Sequence, residues 1–476
     1  MEMEKWNVPL YKAVSQYSRS NPIPFHMPGH KLGRGIPGEF LKNLEMLDVT
    51  EINGTDNLHH PEGPIKEAQI LAAEAFGAAK TYFLVNGSTC GIMAAILTLC
   101  GPGDKIIVGR DCHKSVINGI ILAGAHPVYI RPEFDNNFGI ATVTAPSEIE
   151  KALDRHPDAK GVLITRPNYY GICSDVKEIA GIVHQKGKVL VVDEAHGAHL
   201  NFSDKLPAGS IRLGADICIQ SAHKTLPAFT QGAYLHVGSS AVDLEKLEFN
   251  LRILQTTSPS YIIMVMLDIA REIMAKHGER LIDNLLHEIR AFREQIYRLK
   301  NVKMFSKDNI LNGEYDETRI VLNFKKLGIT GFDVDRILRN EYNIQIEMAD
   351  FYNAVCIATI ADRKEDIEKL CCAVSEISAG FAGNLPLPDN TIKEFEIPPQ
   401  LLTPKEAVLN KGEAVPLERA AGRICKSVVT PYPPGIPVIC PGEMITKNAV
   451  ERIYIILKAG GTVYGIGEKE EICVVS

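Results

Sequence analysis

Short apolar runs alternate with helix-length segments through the middle of the chain. Seven such runs lie between residues 81 and 238, and they read TYFLVN, KIIVG, HPVYI, GVLIT, KVLVVDE, ADICIQS and GAYLHVG. They are continuously apolar rather than alternating, which is typical of strands that helices cover on both faces. The pattern predicts an α/β fold with a mostly parallel sheet, and such sheets bind ligands at the carboxyl ends of their strands.

The segments that flank this block predict the remaining parts of the chain. Prolines and glycines at turn spacing in NPIPFHMPGHKLGRGIPGEF indicate an arm. Helical patterns precede a second group of short strands, and the polar stretch NLPLPDNTIKEFEIPPQ separates these strands from a last module. We predict an N-terminal arm (1–60), a large α/β domain (61–255), a small α+β domain (256–383), a linker (384–400) and a C-terminal domain (401–476).

Composition narrows the class of protein. The 476 residues are 45% hydrophobic, which is enough for the cores of two or three domains. The first residues are acidic where a signal peptide would be basic, and no apolar run is long enough for a membrane span, so we expect a cytoplasmic protein. A net charge of −7 without a basic block argues against nucleic acid. The 11 cysteines lie mostly in apolar runs, which indicates reduced thiols.

An anion site is predicted where the first strand of the block meets a helix. Ser88 and Thr89 follow Asn86 and Gly87 at that junction. Hydroxyl groups and free backbone N–H groups at a helix N-terminus bind phosphate, with help from the helix dipole. An ordinary helix cap is the alternative reading of the same residues.

A carboxylate and a lysine are predicted to meet at the same sheet edge. Asp193 ends one apolar run and Lys224 follows the next, so both lie at strand ends. Partial desolvation lowers the pKa of such a lysine and favours Schiff-base formation with a carbonyl. The letters DEAH at 193–196 also occur in helicases, but the chain has no phosphate loop ending in Gly-Lys-Ser/Thr, so we discard that reading.

Lysine, acid and phosphate cradle together predict pyridoxal phosphate as the cofactor. Asp193 would keep the pyridine nitrogen protonated, so that the ring accepts the electron pair of a bond broken at the substrate α-carbon. His113, at a predicted helix start, would stack on the ring, and the small Ala195 would lie against the opposite face. A capping or surface histidine is the alternative reading of His113.

Eight segments together resemble the ornithine/lysine/arginine decarboxylase family. They are MPGHK (27–31), GTDNLHHPEGPI (54–65), VNGST (85–89), CHKS (112–115), PNYYG (167–171), VVDEAHGAH (191–199), SAHKTLPAFTQGAYLHV (221–237) and PYPPGIP with PGE (431–443). The resemblance implies a fold-type-I pyridoxal-phosphate enzyme shaped like aspartate aminotransferase. It covers the chain from its first residues to the last module.

The resemblance also implies a role for each matched residue. Lys224 resembles the Schiff-base lysine, and Asp193 resembles the partner of the pyridinium nitrogen. TTSPSY (256–261) resembles a segment that reaches the phosphate of a neighbouring subunit, which implies a homodimer with shared active sites, or a higher oligomer. The remaining implied cofactor contacts are Ser88, Thr89, His113, His196, Ser221, His223 and, from that segment, Ser258.

The reaction that follows is decarboxylation of arginine, lysine or ornithine to agmatine, cadaverine or putrescine and CO2. Lys224 or His223 would return a proton to the α-carbon, and Glu347 or Asp350 would bind the distal cation of the substrate. The sequence departs from the family pattern at Asn168, where the family often has threonine. We also expect the short form of the family, without an N-terminal wing domain.

Two other classes remain open on the sequence alone. A fold-type-I aminotransferase or aldolase would use the same lysine and acid, and Arg319 lies where an aminotransferase commonly binds the substrate α-carboxylate. A binding protein that retains the fold and the cofactor without catalysis is the second alternative. The histidines at 26, 30, 59, 60, 196 and 199 show no ordered ligand set, so we predict no metal.

Overall fold

The N-terminal segment joins the sheet of a distant part of the chain. The computed structural model describes residues 7–42, 44–389, 391–392, 396–432 and 435–476. This segment contains α1 (Pro9–Arg19), β1 (Ile23–Phe25) and α2 (Gly38–Leu41). Strand β1 pairs in parallel with residues 344–346, and the fully buried Phe25 packs in the same core. The predicted arm is thus attached to the small α+β domain.

The large α/β region is built on a seven-stranded sheet. Its elements are α3 (Pro64–Phe76), β2 (Lys80–Leu84), α4 (Gly87–Leu99), β3 (Lys105–Gly109), α5 (Lys114–Ala123), β4 (His126–Ile130), β5 (Phe134–Asp135), β6 (Ile140–Ala141), α6 (Pro146–Arg155), β7 (Gly161–Thr165), β8 (Ile172–Cys173), α7 (Val176–Gln185), β9 (Val189–Asp193), β10 (Ile217–Gln220), α8 (Ala222–Thr225), β11 (Ala233–Val237) and α9 (Leu244–Leu254). The strand order is β2-β11-β10-β9-β7-β3-β4, and β11 runs antiparallel to both neighbours. The seven predicted apolar runs form these seven strands, so the predicted sheet is confirmed.

Helix α4 packs unusually close to the sheet. A Cβ atom on Gly91 would lie 2.7 Å from Leu84 Cδ1 and 3.1 Å from Ile219 Cγ2, so a larger residue would push the helix away. The two alanines Ala94 and Ala95 are also fully buried on this face. Close packing fixes the helix N-terminus beside the carboxyl ends of β2 and β10, where the anion site was predicted.

The small α+β region follows a helix that contacts both cores. Its elements are α10 (Tyr261–Ile296), β12 (Lys303–Met304), β13 (Glu314–Tyr315), β14 (Arg319–Asn323), α11 (Gly331–Tyr342), β15 (Ile344–Ile346), β16 (Met348–Ala349), β17 (Asn353–Ile357) and α12 (Lys364–Gly380). Strands β12, β14, β17 and β16 form one antiparallel sheet. The first half of α10 packs with α3 and the second half packs with the small sheet. This helix therefore links the two regions that face each other across the site.

The C-terminal region is anchored by a buried ion pair. It contains α13 (Pro404–Leu409), β18 (Gly412–Pro416), β19 (Thr430–Pro431), α14 (Lys447–Lys458), β20 (Val463–Tyr464) and β21 (Glu471–Val475). Arg110 of the large region donates to Glu443 from Nε at 3.2 Å and from Nη2 at 2.9 Å, and both side chains are buried. Parts of the predicted linker (390 and 393–395) and of the PYPPGIP motif (433–434) lie outside the described residues. The domain boundaries stay predictions.

Nine of the cysteines are buried free thiols, as the apolar runs predicted, but Cys372 is exposed on α12 and Cys473 is half-buried. Within the described ranges, no helix is long and apolar enough to cross a membrane.

Candidate active site

A cavity of about 650 Å³ opens at the carboxyl edge of the large sheet. Its lining combines the N-terminus of α4, the start of α8, the segment between β15 and β16, and the C-terminal region. The predicted residues Ser88, Thr89, His113, Ser221, His223 and Lys224 all line it. The structure therefore brings together residues that are up to 136 positions apart in the sequence.

The α4 end of the cavity is suited to an anion. Asn86 stands at the cap position of α4, but no described side chain caps the helix, and Asn86 Oδ1 instead accepts from the backbone N–H of Thr256 at 3.3 Å. Ser221 Oγ donates to Ser88 Oγ at 2.8 Å. Backbone N–H groups and hydroxyls at a helix N-terminus are suited to binding a phosphate.

Lys224 lines the cavity, and burial perturbs its amine. Its Nζ atom is 3.1 Å from His196 Nε2 and 6.0 Å from the centre of the Tyr169 ring. Desolvation lowers the pKa of Lys224, while the charge of Asp193 opposes that shift. A lowered pKa increases the fraction of neutral amine, which is the nucleophilic form.

Asp193 ends β9 with unused hydrogen-bonding capacity. The side chain is buried, and its Oδ1 atom accepts from the backbone N–H of Ala195 at 3.1 Å. Burial raises the pKa of Asp193 to about 6, although the nearby charge of Lys224 opposes that shift. A positively charged donor would satisfy this carboxylate and restore its ionised form.

Two of the three histidines in the described lining, His113 and His223, lie beside Lys224 and have fixed ring orientations. His113 Nδ1 is 2.8 Å from Ser115 Oγ, and desolvation, followed by the charges of Lys224 and Lys114, lowers the pKa of His113 to about 3. His223 Nδ1 donates to the Gly232 carbonyl at 3.0 Å, and desolvation lowers the pKa of His223 to about 4. Both rings are therefore neutral at physiological pH.

These groups fit the cofactor that the sequence predicts. The anion cradle matches a phosphate, the perturbed Lys224 matches an aldehyde, and the incompletely bonded Asp193 matches a protonated ring nitrogen. Ala195 and His196 are buried directly behind the lining, beside Asp193 and Lys224 respectively. Ser258 is exposed and does not line the cavity of its own chain.

The structure separates the two candidates for the distal cation. Glu347 lines the cavity, and its Oε2 atom accepts from the backbone N–H of Met27 at 2.9 Å. Asp350 is instead engaged by the Tyr170 hydroxyl at 2.9 Å and by Asn353 Nδ2, and it does not line the cavity. Glu347 is therefore the member of the pair that a substrate in the cavity can reach.

Two lining residues and one buried acid behind the lining were not identified from the sequence. Tyr169 and Tyr432 line the cavity, and Tyr432 belongs to the C-terminal region. Asp111 is buried, its Oδ1 atom has no hydrogen-bond partner among the described residues, and desolvation together with Asp193 raises its pKa to about 6. The available signals were weak, because an acid two positions before His113 is also common at surface turns.

Comparison with protein families and curated sequences gives a consistent result. The model of the Orn/Lys/Arg decarboxylase major domain matches residues 8–315, and the model of the C-terminal domain of the same family matches residues 391–460. An arginine decarboxylase of Bacillus anthracis is 39% identical to the chain over 473 residues, covering 97% of this chain and 96% of that protein.

Solved structures share the fold. A lysine decarboxylase of Francisella novicida superimposes with a TM-score of 0.79 at 19% identity, over 99% of this chain and 79% of that one. An alanine–glyoxylate aminotransferase from Nostoc sp. has a TM-score of 0.59 at 17% identity, over 75% of this chain and 95% of that one. The predicted fold-type-I architecture is confirmed.

Proposed function

The chain belongs to the Orn/Lys/Arg decarboxylase family, and from that premise we propose that it decarboxylates arginine to agmatine with pyridoxal phosphate bound at Lys224. The observation that carries the proposal is the position of Lys224, which lies in one cavity with the phosphate cradle and beside Asp193. Arginine is placed first among the basic amino acids because the relative from Bacillus anthracis is named for it.

The cofactor would be held by residues at three edges of the cavity. Ser88, Thr89 and Ser221 would bind its phosphate, Asp193 would pair with its ring nitrogen, and His113 would stack on the ring. When bound, pyridoxal phosphate supplies a conjugated cation that takes up the electron pair of the breaking bond between the α-carbon and the carboxylate.

The protein residues would orient the substrate and handle its proton. Glu347 would bind the guanidinium by charge-assisted hydrogen bonds, which planar donors make well with a carboxylate. The apolar residues Ile346 and Met348 line the same side of the cavity and would disfavour the charged α-carboxylate, which assists its departure. Lys224 or His223 would then deliver a proton to the α-carbon.

A second copy of the chain would complete each site. Ser258 and its neighbours are exposed beside the cradle, and Phe249 and Ile253 on α9 are more than half exposed. Burying such apolar side chains against another copy is favourable. Light scattering should give a dimer or a larger species. Mixing a Lys224→Ala protein with a Ser258→Ala protein should restore part of the activity only if subunits share sites.

The decisive experiment is a substrate panel scored by product. Arginine, lysine and ornithine are each incubated with the purified, cofactor-loaded protein, and CO2 and amine are measured. We expect CO2 with agmatine and no 2-oxo acid; accumulation of a 2-oxo acid in stoichiometric amount would instead identify an aminotransferase. Borohydride reduction should attach the cofactor to Lys224 in the wild-type protein and in the control Lys114→Ala.

A further inference from the structure

Arg319 is fully buried directly behind His196, which in turn contacts Lys224. Its Nη2 atom donates to His196 Nδ1 at 3.1 Å and to the His196 carbonyl at 3.2 Å, while its Nε and Nη1 atoms have no hydrogen-bond partner among the described residues. Arg319 does not line the cavity. This position argues against a direct contact between Arg319 and the substrate carboxylate, which an aminotransferase would require.

The contact with Arg319 determines where His196 carries its hydrogen. A guanidinium has only donors, so Nδ1 of His196 must accept. The ring hydrogen of the neutral imidazole is then on Nε2, which is the atom 3.1 Å from Lys224 Nζ. Because Nε2–H is a donor, the amine at Lys224 must offer its lone pair, and a protonated ammonium has none.

We propose that Arg319 is a positioning residue that acts through His196: it holds the imidazole in the Nε2–H tautomer, and this tautomer selects the unprotonated amine of Lys224. The inference rests on the proposed function, since a neutral amine is what Lys224 needs in order to react with a carbonyl. It assigns a role to Arg319 that neither substrate binding nor simple packing would require.

The surroundings hold Arg319 in this position. A Cβ atom on Gly171 would lie 2.7 Å from Cβ and Cγ of Arg319, so the absence of a side chain at Gly171 makes room for the arginine stem. The Tyr315 hydroxyl donates to the Arg319 carbonyl at 2.6 Å. These contacts restrict the stem and the backbone of Arg319, and the two hydrogen bonds from Nη2 to His196 orient the guanidinium.

The charged groups around Lys224 shift its pKa in both directions. Desolvation lowers its pKa, Asp193 and Glu347 raise it, and Arg319 lowers it. Desolvation followed by Lys224 and Arg319 lowers the pKa of His196, which keeps the ring neutral. The other titratable groups at the amine are His113, His223 and Tyr169.

The first test reads the tautomer directly. Protein labelled with ¹⁵N-histidine is prepared without cofactor, and the His196 signals are assigned by their loss in His196→Phe. We expect nitrogen shifts of an Nε2–H ring in the wild-type protein and loss of that pattern in Arg319→Met. An Nδ1–H ring in the wild-type protein, or an unchanged Nε2–H ring in Arg319→Met, would overturn the inference.

The second test measures the protonation of the Lys224 amine. Competitive labelling with acetic anhydride, followed by peptide mass spectrometry, gives the pH midpoint for Lys224 in the cofactor-free protein. We expect Arg319→Met to raise that midpoint by at least about one pH unit. The matched control is Arg293→Met, which removes a partly buried cation that pairs with Glu317 at 2.8 Å and does not contact His196.

A double-mutant cycle separates the hydrogen-bonded route from charge alone. If Arg319 acts through His196, Arg319→Met should shift the Lys224 midpoint much less in the His196→Phe background than in the wild-type background. An equal shift in both backgrounds would overturn the inference and leave a direct charge effect. Circular dichroism must show that each variant is folded. If Arg319→Met does not fold, Arg319→Lys, which retains the charge, takes its place. Borohydride trapping at another lysine would contradict the proposed function and would leave the tautomer result unaffected.

Discussion

Asp193 and Glu194 are adjacent in sequence, yet their buried carboxylates have very different surroundings. Asp193 accepts from one described donor, the Ala195 backbone N–H. Glu194 accepts from the Ser210 backbone (2.9 Å) and hydroxyl (2.5 Å), Arg166 Nη1 (3.2 Å), Gln220 Nε2 (2.6 Å) and Cys218 Sγ (3.2 Å). The Glu194 carboxylate is fully engaged by buried donors, whereas the Asp193 carboxylate retains acceptor capacity next to Lys224.

The difference in hydrogen bonding indicates a structural role for Glu194 and a chemical role for Asp193. Asp193 is the last residue of β9 and Glu194 follows the strand, and the two side chains enter different environments. A buried polar group with a full set of partners stabilises one arrangement of its neighbours, whereas an incompletely bonded group is suited to a ligand. Two adjacent acidic residues thus have separate roles.

Removing the Glu194 carboxylate should have the largest effect on stability. Glu194→Ala leaves Arg166 buried without this partner, and we expect the free energy of unfolding to fall by about 3–5 kcal/mol. Urea denaturation followed by circular dichroism measures the change. Glu194→Gln keeps an acceptor oxygen and should lose less. Stabilities of both variants within about 0.5 kcal/mol of the wild type would show that the network is not structural.

Asp193→Asn should reverse that pattern, with activity lost and stability retained. An amide cannot ionise against a protonated ring nitrogen, so we expect kcat/KM to fall by about 10²–10³-fold, the range for loss of one preorganised electrostatic contact. The melting temperature of the cofactor-free protein should not fall, because burial raises the pKa of Asp193 and the ionised form is not favoured there. A variant that unfolds but retains its activity per folded molecule would contradict the comparison.

The sequence was informative wherever the evidence is local. Apolar runs predicted all seven strands of the large sheet, and the rule that ligands bind at strand ends then placed Asp193 and Lys224 together. The contact between Arg319 and His196 joins residues 123 positions apart, so no local pattern could reveal it. The same applies to Arg110 and Glu443, which are 333 positions apart.

The choice between Glu347 and Asp350 shows that tertiary contacts determine which acid a substrate can reach. Both acids lie near the same strand end, and their sequence surroundings are equally compatible with substrate binding. In the fold, Asp350 is engaged by Tyr170 and Asn353, whereas Glu347 lines the cavity. Sequence spacing predicts the neighbourhood of a side chain but not the partner that occupies it.

Glu347→Gln sharpens the comparison on the substrate side. A charged hydrogen bond to the distal cation contributes about 1.5–3 kcal/mol, so kcat/KM for the preferred amino acid should fall by about 10–150-fold, mainly through KM. The matched control is Asp350→Asn, which alters an acid outside the cavity and should leave KM unchanged. If Asp350→Asn raises KM and Glu347→Gln does not, the assignment of the distal partner is wrong.

Asp111 tests whether incomplete hydrogen bonding alone lowers stability. The pKa of Asp111 is raised to about 6 in the folded protein, against 3.8 as the ordinary value, mainly by desolvation. The folded state therefore binds this proton more tightly, so the stabilising contribution is complete below pH 3.8 and is lost as the pH rises through about 6. Above that pH the ionised group lowers the free energy of unfolding.

Asp111→Asn removes this penalty, because the amide is neutral at every pH. Relative to the wild type, the variant should be more stable by about 1–3 kcal/mol at about pH 8 than it is at about pH 4. Asp104→Asn is the control with the opposite sign, since the backbone N–H of Gly101 lowers the pKa of Asp104 and its contribution is present only above its ordinary pKa. The measurement is urea unfolding of the cofactor-free protein at both pH values. If Asp111→Asn has the same relative stability at both, its carboxylate is solvated or paired, and low hydrogen-bond occupancy would not distinguish functional from structural acids in this protein.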